Sequence, residues 1–202
     1  NMEQRYEGLV PPGCRRWLGP RYALLRPEFH EAREHLRQRD GIIRRILIFF
    51  GGSDPTNETR KALDAIKLLD RPDIALDVVV GANNPYRDEI REICADMPNT
   101  SYYCQVDNMA ELMAAADLAI GAGGAATWER CYLGLPTVFE IIAENQRDVT
   151  NAAVGAGWGW NLGEAQSVSS QQMYKLIGFL LTNPVLLQNI KPTEKRNPYN
   201  IL

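Results

Sequence analysis

From residue 42 onward, short apolar or β-branched runs alternate with longer amphipathic stretches, and this alternation constrains the fold more than any other feature of the sequence. The short runs lie at 46–50, 76–80, 101–104, 118–120, 137–139 and 157–161. The stretches with helical spacing lie at 57–69, 86–96, 109–116, 125–133, 146–156 and 169–181. Short strands that alternate with helices are typical of βαβ units, which build a parallel sheet covered on both faces. We therefore predict an α/β, Rossmann-like domain with about six parallel strands.

The two ends of the chain differ from this middle part. Residues 1–40 begin with a turn-rich stretch and end in a segment, 28–40, that is dense in charges of both signs. Such a segment is typical of a linker or a solvated helix that takes no part in the core. The residues after 183 are polar and show no amphipathic period. We predict an interdomain linker with a charged helix at 1–40, the Rossmann-like domain at 41–183 and a C-terminal tail at 184–202.

The composition argues against several classes of function. The 202 residues include 22 Lys and Arg against 25 Asp and Glu, a net charge of −3, whereas nucleic-acid-binding domains carry clustered basic residues. Every apolar run is far shorter than the ~20 residues of a membrane helix. The four cysteines have no C-x-x-C spacing, so they indicate neither a zinc ribbon nor a dithiol site. We predict a cytoplasmic protein without a nucleic-acid partner, a membrane insertion or a protein metal site, and leave a bound Mg²⁺ open.

The loop after the first strand, 51–57, has the sequence GGSDPTN. Ligands of parallel sheets bind at the carboxyl ends of the strands, where this loop lies. Its glycines permit close approach of a ligand to the backbone, and Ser53 or Thr56 can cap the next helix. The loop has neither the Walker A nor the G-x-G-x-x-G pattern. It is either an anion-binding loop or a tight turn with a helix cap.

The loop after the fourth strand is richer in small residues, with GAGGAATWE at 121–129. Small residues at the start of a helix leave its amides and its positive dipole end exposed, so a diphosphate can bind there without a basic side chain. Glu129 is close enough for its carboxylate to accept hydrogen bonds from a vicinal diol such as a ribose. The alternative is that Glu129 complements the helix dipole.

Two more strand-end loops carry polar or apolar side chains suited to a ligand. Asn145 and Gln146 have amides that suit sugar hydroxyls, acetamido groups or phosphate oxygens, or that cap the helix beginning there. The loop 105–109 can offer backbone groups to the edge of a base while Val106 and Met109 cover its face. The alternative for that loop is an ordinary helix N-cap.

Together these loops, with Gly134-Leu135-Pro136 before the fifth strand, resemble the nucleotide-binding C-terminal half of GT-B glycosyltransferases. Four motifs carry a narrower resemblance, namely Tyr6-Glu7-Gly8, LGPRYALLRPEF at 18–29, the loop 51–57 and Glu144-Asn145-Gln146. They are similar to the UDP-sugar hydrolases of pseudaminic acid (nonulosonate) biosynthesis, a pathway to flagellar and cell-surface glycans. These enzymes cleave a UDP-linked diacetamido-trideoxy sugar to the free sugar and UDP.

The resemblance implies a two-domain enzyme in which this half binds UDP, with no cofactor besides the UDP-sugar. The implied contacts are Gly52 and Ser53 with the phosphates or sugar, Val106 and Met109 with uracil, Gly123, Gly124 and Ala125 with the diphosphate, Glu129 with the ribose, and Asn145 and Gln146 with the sugar. Asn145 is the tentative catalytic residue near the scissile bond. The general base is a histidine of the N-terminal domain, whose position neither His30 nor His35 matches. The chain would then be a C-terminal half that binds its own N-terminal domain and is inactive alone.

Two other functions remain open at this level. The same nucleotide half serves UDP-GlcNAc-type GT-B glycosyltransferases, and the N-terminal half would distinguish these from the hydrolase. A non-catalytic nucleotide-sugar-binding module is the second alternative. A dinucleotide-dependent oxidoreductase fits less well, because the first strand is not followed by the dinucleotide fingerprint.

Overall fold

The structure is a computed structural model that describes residues 8–16 and 23–193. Its strands are β1 (Arg45–Phe49), β2 (Ala75–Val80), β3 (Thr100–Cys104), β4 (Leu118–Ala122), β5 (Thr137–Ile141) and β6 (Gly159–Glu164). Its helices are α1 (Pro27–Glu34), α2 (Glu58–Leu69), α3 (Arg87–Ala95), α4 (Met109–Ala115), α5 (Ala126–Tyr132), α6 (Arg147–Gly155), α7 (Ser170–Leu181) and α8 (Pro184–Gln188). Strands and helices alternate from β1 to α7, as predicted.

The six strands form one parallel sheet in the order β3-β2-β1-β4-β5-β6. Strand β1 is central, and its Ile48 pairs with Val78 on one side and Ile120 on the other. The direction in which the strands are added reverses between β1 and β4, which is the doubly wound arrangement of Rossmann-like folds. The predicted fold class, a Rossmann-like parallel sheet of six strands, is confirmed.

Helices cover both faces of the sheet because successive side chains of a buried strand point to opposite faces. Ile46 and Ile48 of β1 enter a first apolar cluster with α2, α3 and α7, whereas Leu47 enters a second cluster with α1 and α4. Both faces of β1 are therefore buried, which explains why this strand reads as an unbroken apolar run.

The charged segment before β1 packs closely against the second face. Phe29 of α1 is fully buried in the second cluster. Arg39 donates hydrogen bonds to the carbonyls of Ala116 and Leu133, each at 2.8 Å. The expectation that this segment takes no part in the core is wrong, because one aromatic residue anchors a helix whose other positions are largely polar.

Packing also continues beyond residue 183. Leu187 of α8 is buried in the first cluster, and a Cβ at Gly41 would collide with the Pro184 carbonyl. The rest of the predicted tail, 194–202, lies outside the described residues, as do 1–7 and 17–22 with part of the motifs of the resemblance. The three predicted segment boundaries stay predictions. Within the described ranges, every helix is too short or too polar to cross a bilayer.

Candidate functional site

The loops that follow β1 and β4 leave the sheet side by side. Phe49 at the end of β1 pairs with Gly121 of β4, so the two strand ends are adjacent where the strand order reverses. Ligands of open parallel sheets bind in the crevice at this place. Strand β5 lies next to β4, which adds the loop with Asn145 and Gln146 to the same edge.

Gly52 and Ser53 of the first loop are exposed. The Gly52 backbone lies against Gly81, where a Cβ would collide with it, whereas a Cβ at Gly52 itself meets nothing within 4 Å. Within the described part of the chain, no group accepts a hydrogen bond from the amides of Gly52 and Ser53. One side of the loop is thus packed against Gly81, which follows β2, and the other side is open, with the amides of Gly52 and Ser53 as two available donors.

Asp54, and neither Ser53 nor Thr56, caps the helix that follows this loop. Its carboxylate accepts hydrogen bonds from the amides of Glu58 and Thr59, each at 2.9 Å, and it is 1% exposed. Asp54 has a φ of +37°, a conformation that Asp tolerates better than most residues. Because this carboxylate already occupies the amides of the α2 terminus, an anion could bind only to the loop amides before it.

The Gly-rich turn, 123–125, connects β4 to α5. The amide of Gly123 donates to the Glu140 carbonyl at 3.2 Å, and a Cβ at Gly123 would collide with the Thr150 hydroxyl. Gly123 is therefore a packing position whose amide is already used, contrary to the expected contact with a diphosphate. Among residues 8–16 and 23–193, nothing accepts from the amides of Gly124 and Ala125. Helix α5 has 7 residues, so the free amides matter more here than a long helix dipole.

Glu129 of α5 lies beside Arg26, which precedes α1. Arg26 Nη2 is 3.5 Å from Glu129 Oε1, and Arg26 Nη1 is 2.9 Å from Glu28 Oε1. Burial raises the pKa of the Glu129 carboxyl, and the neighbouring Arg26 partly offsets this rise. The Glu129 side chain is 19% exposed, enough to accept hydrogen bonds from a ligand. Arg26 was not predicted from sequence, although it lies within the most specific motif of the resemblance.

Gln146 connects the end of β5 to the Gly-rich turn. Its Oε1 accepts a hydrogen bond from the Ile142 amide at 3.2 Å, and its Nε2 lies 3.5 Å from where a Cβ of Gly124 would be. Asn145 is exposed beside it. Neither amide side chain caps α6, which begins without a side-chain cap. The structure thus brings Gln146 and the Gly-rich turn together and leaves Asn145 open to solvent.

Val106 and Met109 belong to the second apolar cluster but differ in exposure. Met109 begins α4 and is buried in the second cluster, so its side chain does not lie open to a base as expected. Val106 is half-buried against the same cluster, as is Ala126 at the start of α5. Val106 is therefore the member of the pair with surface to offer a ligand. Asn108 does not cap α4 through its side chain.

A buried ionic cluster lies beneath these loops and was not predicted. Lys61 Nζ lies 2.8 Å from Glu140 Oε1, donates to the Ala165 carbonyl at 2.8 Å, and also pairs with Glu58. Burial raises the pKa of the Glu140 carboxyl to about 7, with Lys61 opposing the rise and Glu58 adding to it. The cluster joins the start of α2 to Glu140 of β5 and to Ala165, which directly follows β6. Because the Glu140 carbonyl accepts from the Gly123 amide, the cluster also connects the first loop with the Gly-rich turn.

Residues 46–167 match the model of the glycosyltransferase family 28 C-terminal domain. The chain is 37% identical over 137 residues to the uncharacterized protein MJ1062 of Methanocaldococcus jannaschii, covering 65% of this chain and 28% of that protein. It is 30% identical to the spore coat polysaccharide biosynthesis protein SpsG of Bacillus subtilis, covering 88% and 53%.

A third relative is the UDP-N-acetylglucosamine–N-acetylmuramyl-(pentapeptide) pyrophosphoryl-undecaprenol N-acetylglucosamine transferase of Rickettsia felis, at 28% identity and with 76% and 44% covered. The chain therefore spans between about a quarter and a half of the length of these relatives.

Solved structures share the fold. Acinetobacter baumannii MurG superposes with a TM-score of 0.61 at 21% identity, covering 80% of this chain and 46% of that one. The spinosyn rhamnosyltransferase SpnG, complexed with thymidine diphosphate, gives 0.54 at 23% identity, covering 72% and 40%.

These comparisons correct one prediction and confirm another. The prediction of a hydrolase is wrong, because the matching family is a glycosyltransferase family and the Rickettsia felis relative is named a transferase. The broader resemblance to GT-B glycosyltransferases is confirmed. The chain belongs to the glycosyltransferase family 28 C-terminal domain family.

Proposed function

We propose that this chain is the domain of a glycosyltransferase that binds the UDP part of a UDP-sugar donor. One observation carries the proposal. Two loops with unpartnered backbone amides, at Gly52 and Ser53 and at Gly124 and Ala125, meet at the point where the strand order of the sheet reverses. Convergent amides at such a crevice bind phosphate groups.

The diphosphate lies between these two loops and accepts hydrogen bonds from their amides. Backbone amides donate hydrogen bonds without a side-chain charge, so they can bind a diphosphate in a chain of net charge −3. Fixed donors also stabilise the charge that develops on the leaving UDP when the sugar is transferred. Binding and leaving-group stabilisation are thus the two tasks of this domain.

Glu129 accepts hydrogen bonds from the ribose hydroxyls, and Val106 packs against the uracil. A ribose at Glu129 shares that carboxylate with Arg26, which is 49% exposed and can turn toward the phosphates. Glu129 lies on the helix that directly follows the turn with the free amides. The ribose and the diphosphate are then bound by one connected segment, and Val106 of a neighbouring loop adds the contact with the base.

Asn145 and Gln146 contact the sugar. Their amides both donate and accept hydrogen bonds, which suits the hydroxyl and acetamido groups of an N-acetylhexosamine. The Gln146 side chain already accepts a hydrogen bond from the Ile142 amide, whereas Asn145 is exposed, so Asn145 is the residue of the pair that contacts the sugar near the bond that breaks. The donor that this arrangement favours is of the UDP-N-acetylglucosamine type, and the acceptor site belongs to the rest of the enzyme.

Calorimetric titration of this chain with UDP, ADP, dUDP and uridine tests the proposal. The proposed contact of uracil with Val106 requires that UDP bind at least about tenfold more tightly than ADP. Binding of neither nucleotide, or equal binding of both, would overturn the nucleotide assignment.

Replacement of Glu129 tests the ribose contact. Glu129→Ala should weaken UDP binding by about tenfold or more, the cost of losing hydrogen bonds to a charged group. It should weaken dUDP less, because dUDP lacks one of the two hydroxyls. Glu28→Ala is the matched control, since Glu28 also pairs with Arg26. Equal losses for UDP and pyrophosphate in Glu129→Ala would mean a structural role.

A further inference from the structure

Arg130 lies directly behind the Gly-rich turn, where its guanidinium is buried. The residue is 2% exposed. Its Nη2 donates to the carbonyl of Ala122, the last residue of β4, and its Nη1 lies 2.7 Å from where a Cβ of Gly121 would be. The guanidinium carbon lies 5.2 Å from the centre of the Phe139 ring. Arg130 thus supports the strand end from which the turn departs.

In the part of the chain that the structure describes, no carboxylate lies within ion-pair distance of this buried cation, and its Nε is buried without a hydrogen-bond acceptor. Glu129, the next residue back along α5, is a nearby charge that raises the pKa of Arg130, but the ion pair of its carboxylate is with Arg26. Burial lowers the pKa of Arg130 to about 10, so the side chain is still charged at neutral pH.

Lys61 shows what a compensated cation looks like in the same domain. Although its side chain is 20% exposed, it pairs with the buried carboxylates of Glu58 and Glu140, because a charge withdrawn from water without a partner is costly. Arg130 departs from that rule. The hydroxyl of Thr127, also on α5, is buried without a partner as well. Polar groups left unpaired in this way behind a turn with free amides point to an anion bound on the other side of the turn.

We propose that the diphosphate of the sugar donor is the counter-ion of Arg130, whose charge acts through the Gly-rich turn and sets the preference of the site for phosphate groups. The inference rests on the proposed function, since it requires a diphosphate at Gly124 and Ala125. Arg130 is a positioning residue, because the turn separates it from the ligand. It attracts the diphosphate through space and holds the Ala122 carbonyl in place.

A cation in this position explains how an acidic chain holds a diphosphate. Charges interact more strongly through protein than through water, because the effective dielectric constant is lower. A buried charge is also screened less by salt than an exposed one. Arg26 is exposed and already paired with Glu28 and Glu129, whereas Arg130 has no ion pair among the residues that the structure describes and feels Glu129 only from a greater distance.

Affinities for uridine, UMP and UDP test the proposal, because the three ligands differ in phosphate charge. In Arg130→Met, UDP should lose about tenfold more affinity than uridine, which corresponds to about 1.4 kcal/mol, and UMP should fall between them. Arg130→Lys restores a cation only where the pH is low enough to keep a buried ammonium protonated, so at about pH 6 it should keep a higher ratio of UDP to uridine affinity than Arg130→Met. Equal losses for all three ligands, or the same ratio in the Lys and Met variants, would overturn the proposal.

Arg39→Met is the matched control. Arg39 is also a largely buried guanidinium that donates to backbone carbonyls, at Ala116 and Leu133. It precedes β1, however, and so lies at the amino ends of the strands, away from the proposed site at their carboxyl ends. Its replacement should leave the ratio of UDP to uridine affinity unchanged. A ratio that falls as far as in Arg130→Met would contradict a local role for Arg130.

The salt dependence of the wild-type protein keeps the proposal testable if Arg130→Met does not fold. UDP affinity should fall by less than about tenfold between low and high salt, because a buried charge is poorly screened. A steep fall would assign the attraction to exposed residues and overturn the proposal. Failure of both uridine and UDP to bind would instead reject the proposed function, which is a distinguishable result.

Discussion

The loops after β1 and β4 are both rich in glycine and leave the sheet side by side, but the helices that follow them begin in opposite ways. Helix α2 is capped by the carboxylate of Asp54, which accepts two hydrogen bonds from its first amides. Helix α5 follows a turn whose amides at Gly124 and Ala125 have no acceptor in the described part of the chain. A glycine-rich loop is therefore not by itself an anion site, because an anion can bind only where the backbone amides do not already donate hydrogen bonds within the protein.

The largest effect is expected from filling the space behind the Gly-rich turn. Gly123→Ala places a Cβ against the Thr150 hydroxyl and should lower the free energy of unfolding by about 3 kcal/mol, as overpacking does. Urea denaturation measures the change. Gly52→Ala is the control in the other loop, since a Cβ there meets nothing within 4 Å, and it should change stability by less than about 0.5 kcal/mol. Equal effects would show that the two loops are packed alike.

Removal of the cap of α2 should have the next largest effect. Asp54→Ala leaves the amides of Glu58 and Thr59 without an acceptor and should cost about 2 kcal/mol of stability. UDP affinity should change by less than about twofold, because these amides are not part of the proposed site. Ser53→Ala is the control and should leave stability unchanged. A large loss of UDP affinity in Asp54→Ala, measured where the protein is folded, would place the ligand at α2 after all.

The smallest effect concerns the ionic cluster that joins the two regions. Glu58 begins α2, and the Glu140 carbonyl accepts from the Gly123 amide. Because the pKa of Glu140 is raised to about 7 from an ordinary 4.5, the folded state favours its protonated form. Stability should therefore decrease as pH rises from 4.5 through 7, with full benefit below 4.5.

Glu140→Gln removes this titration. We expect the variant to lose less stability than wild type between pH 5 and pH 8, measured by thermal unfolding across that range. Asp64→Asn is the control, since Asp64 pairs with Arg60 at the surface. An identical pH profile for wild type and Glu140→Gln would contradict the assignment of the proton to this cluster.

The sequence was sufficient to predict the sheet but only part of the site. Strands buried on both faces read as apolar runs, so the strands were found within a few residues of their bounds. The cap by Asp54 was missed because it depends on a positive φ, which sequence spacing does not reveal. The contact between Arg26 and Glu129 joins residues 103 positions apart, and only the folded chain brings them together.

The burial of Arg130 and of Met109 could not be predicted from the sequence either. A charged residue in an amphipathic helix is ordinarily solvated, yet Arg130 is buried. An apolar residue in a loop can cover a ligand, yet Met109 starts a helix whose orientation turns it into the core. Both depend on how the helix is rotated against the sheet, and a helix boundary that moves by one residue turns a side chain by about 100°.

Gln146 accepts a hydrogen bond from the Ile142 amide, and its Nε2 lies beside Gly124, so the chain after β5 is in contact with the turn before α5. A displacement of that chain would therefore affect the position of the turn. In the proposed site, contacts to the sugar and contacts to the phosphates would then not be independent, and a donor with the wrong sugar would also bind less well through its diphosphate. Discrimination among donors can in this way exceed what contacts to the sugar alone would give.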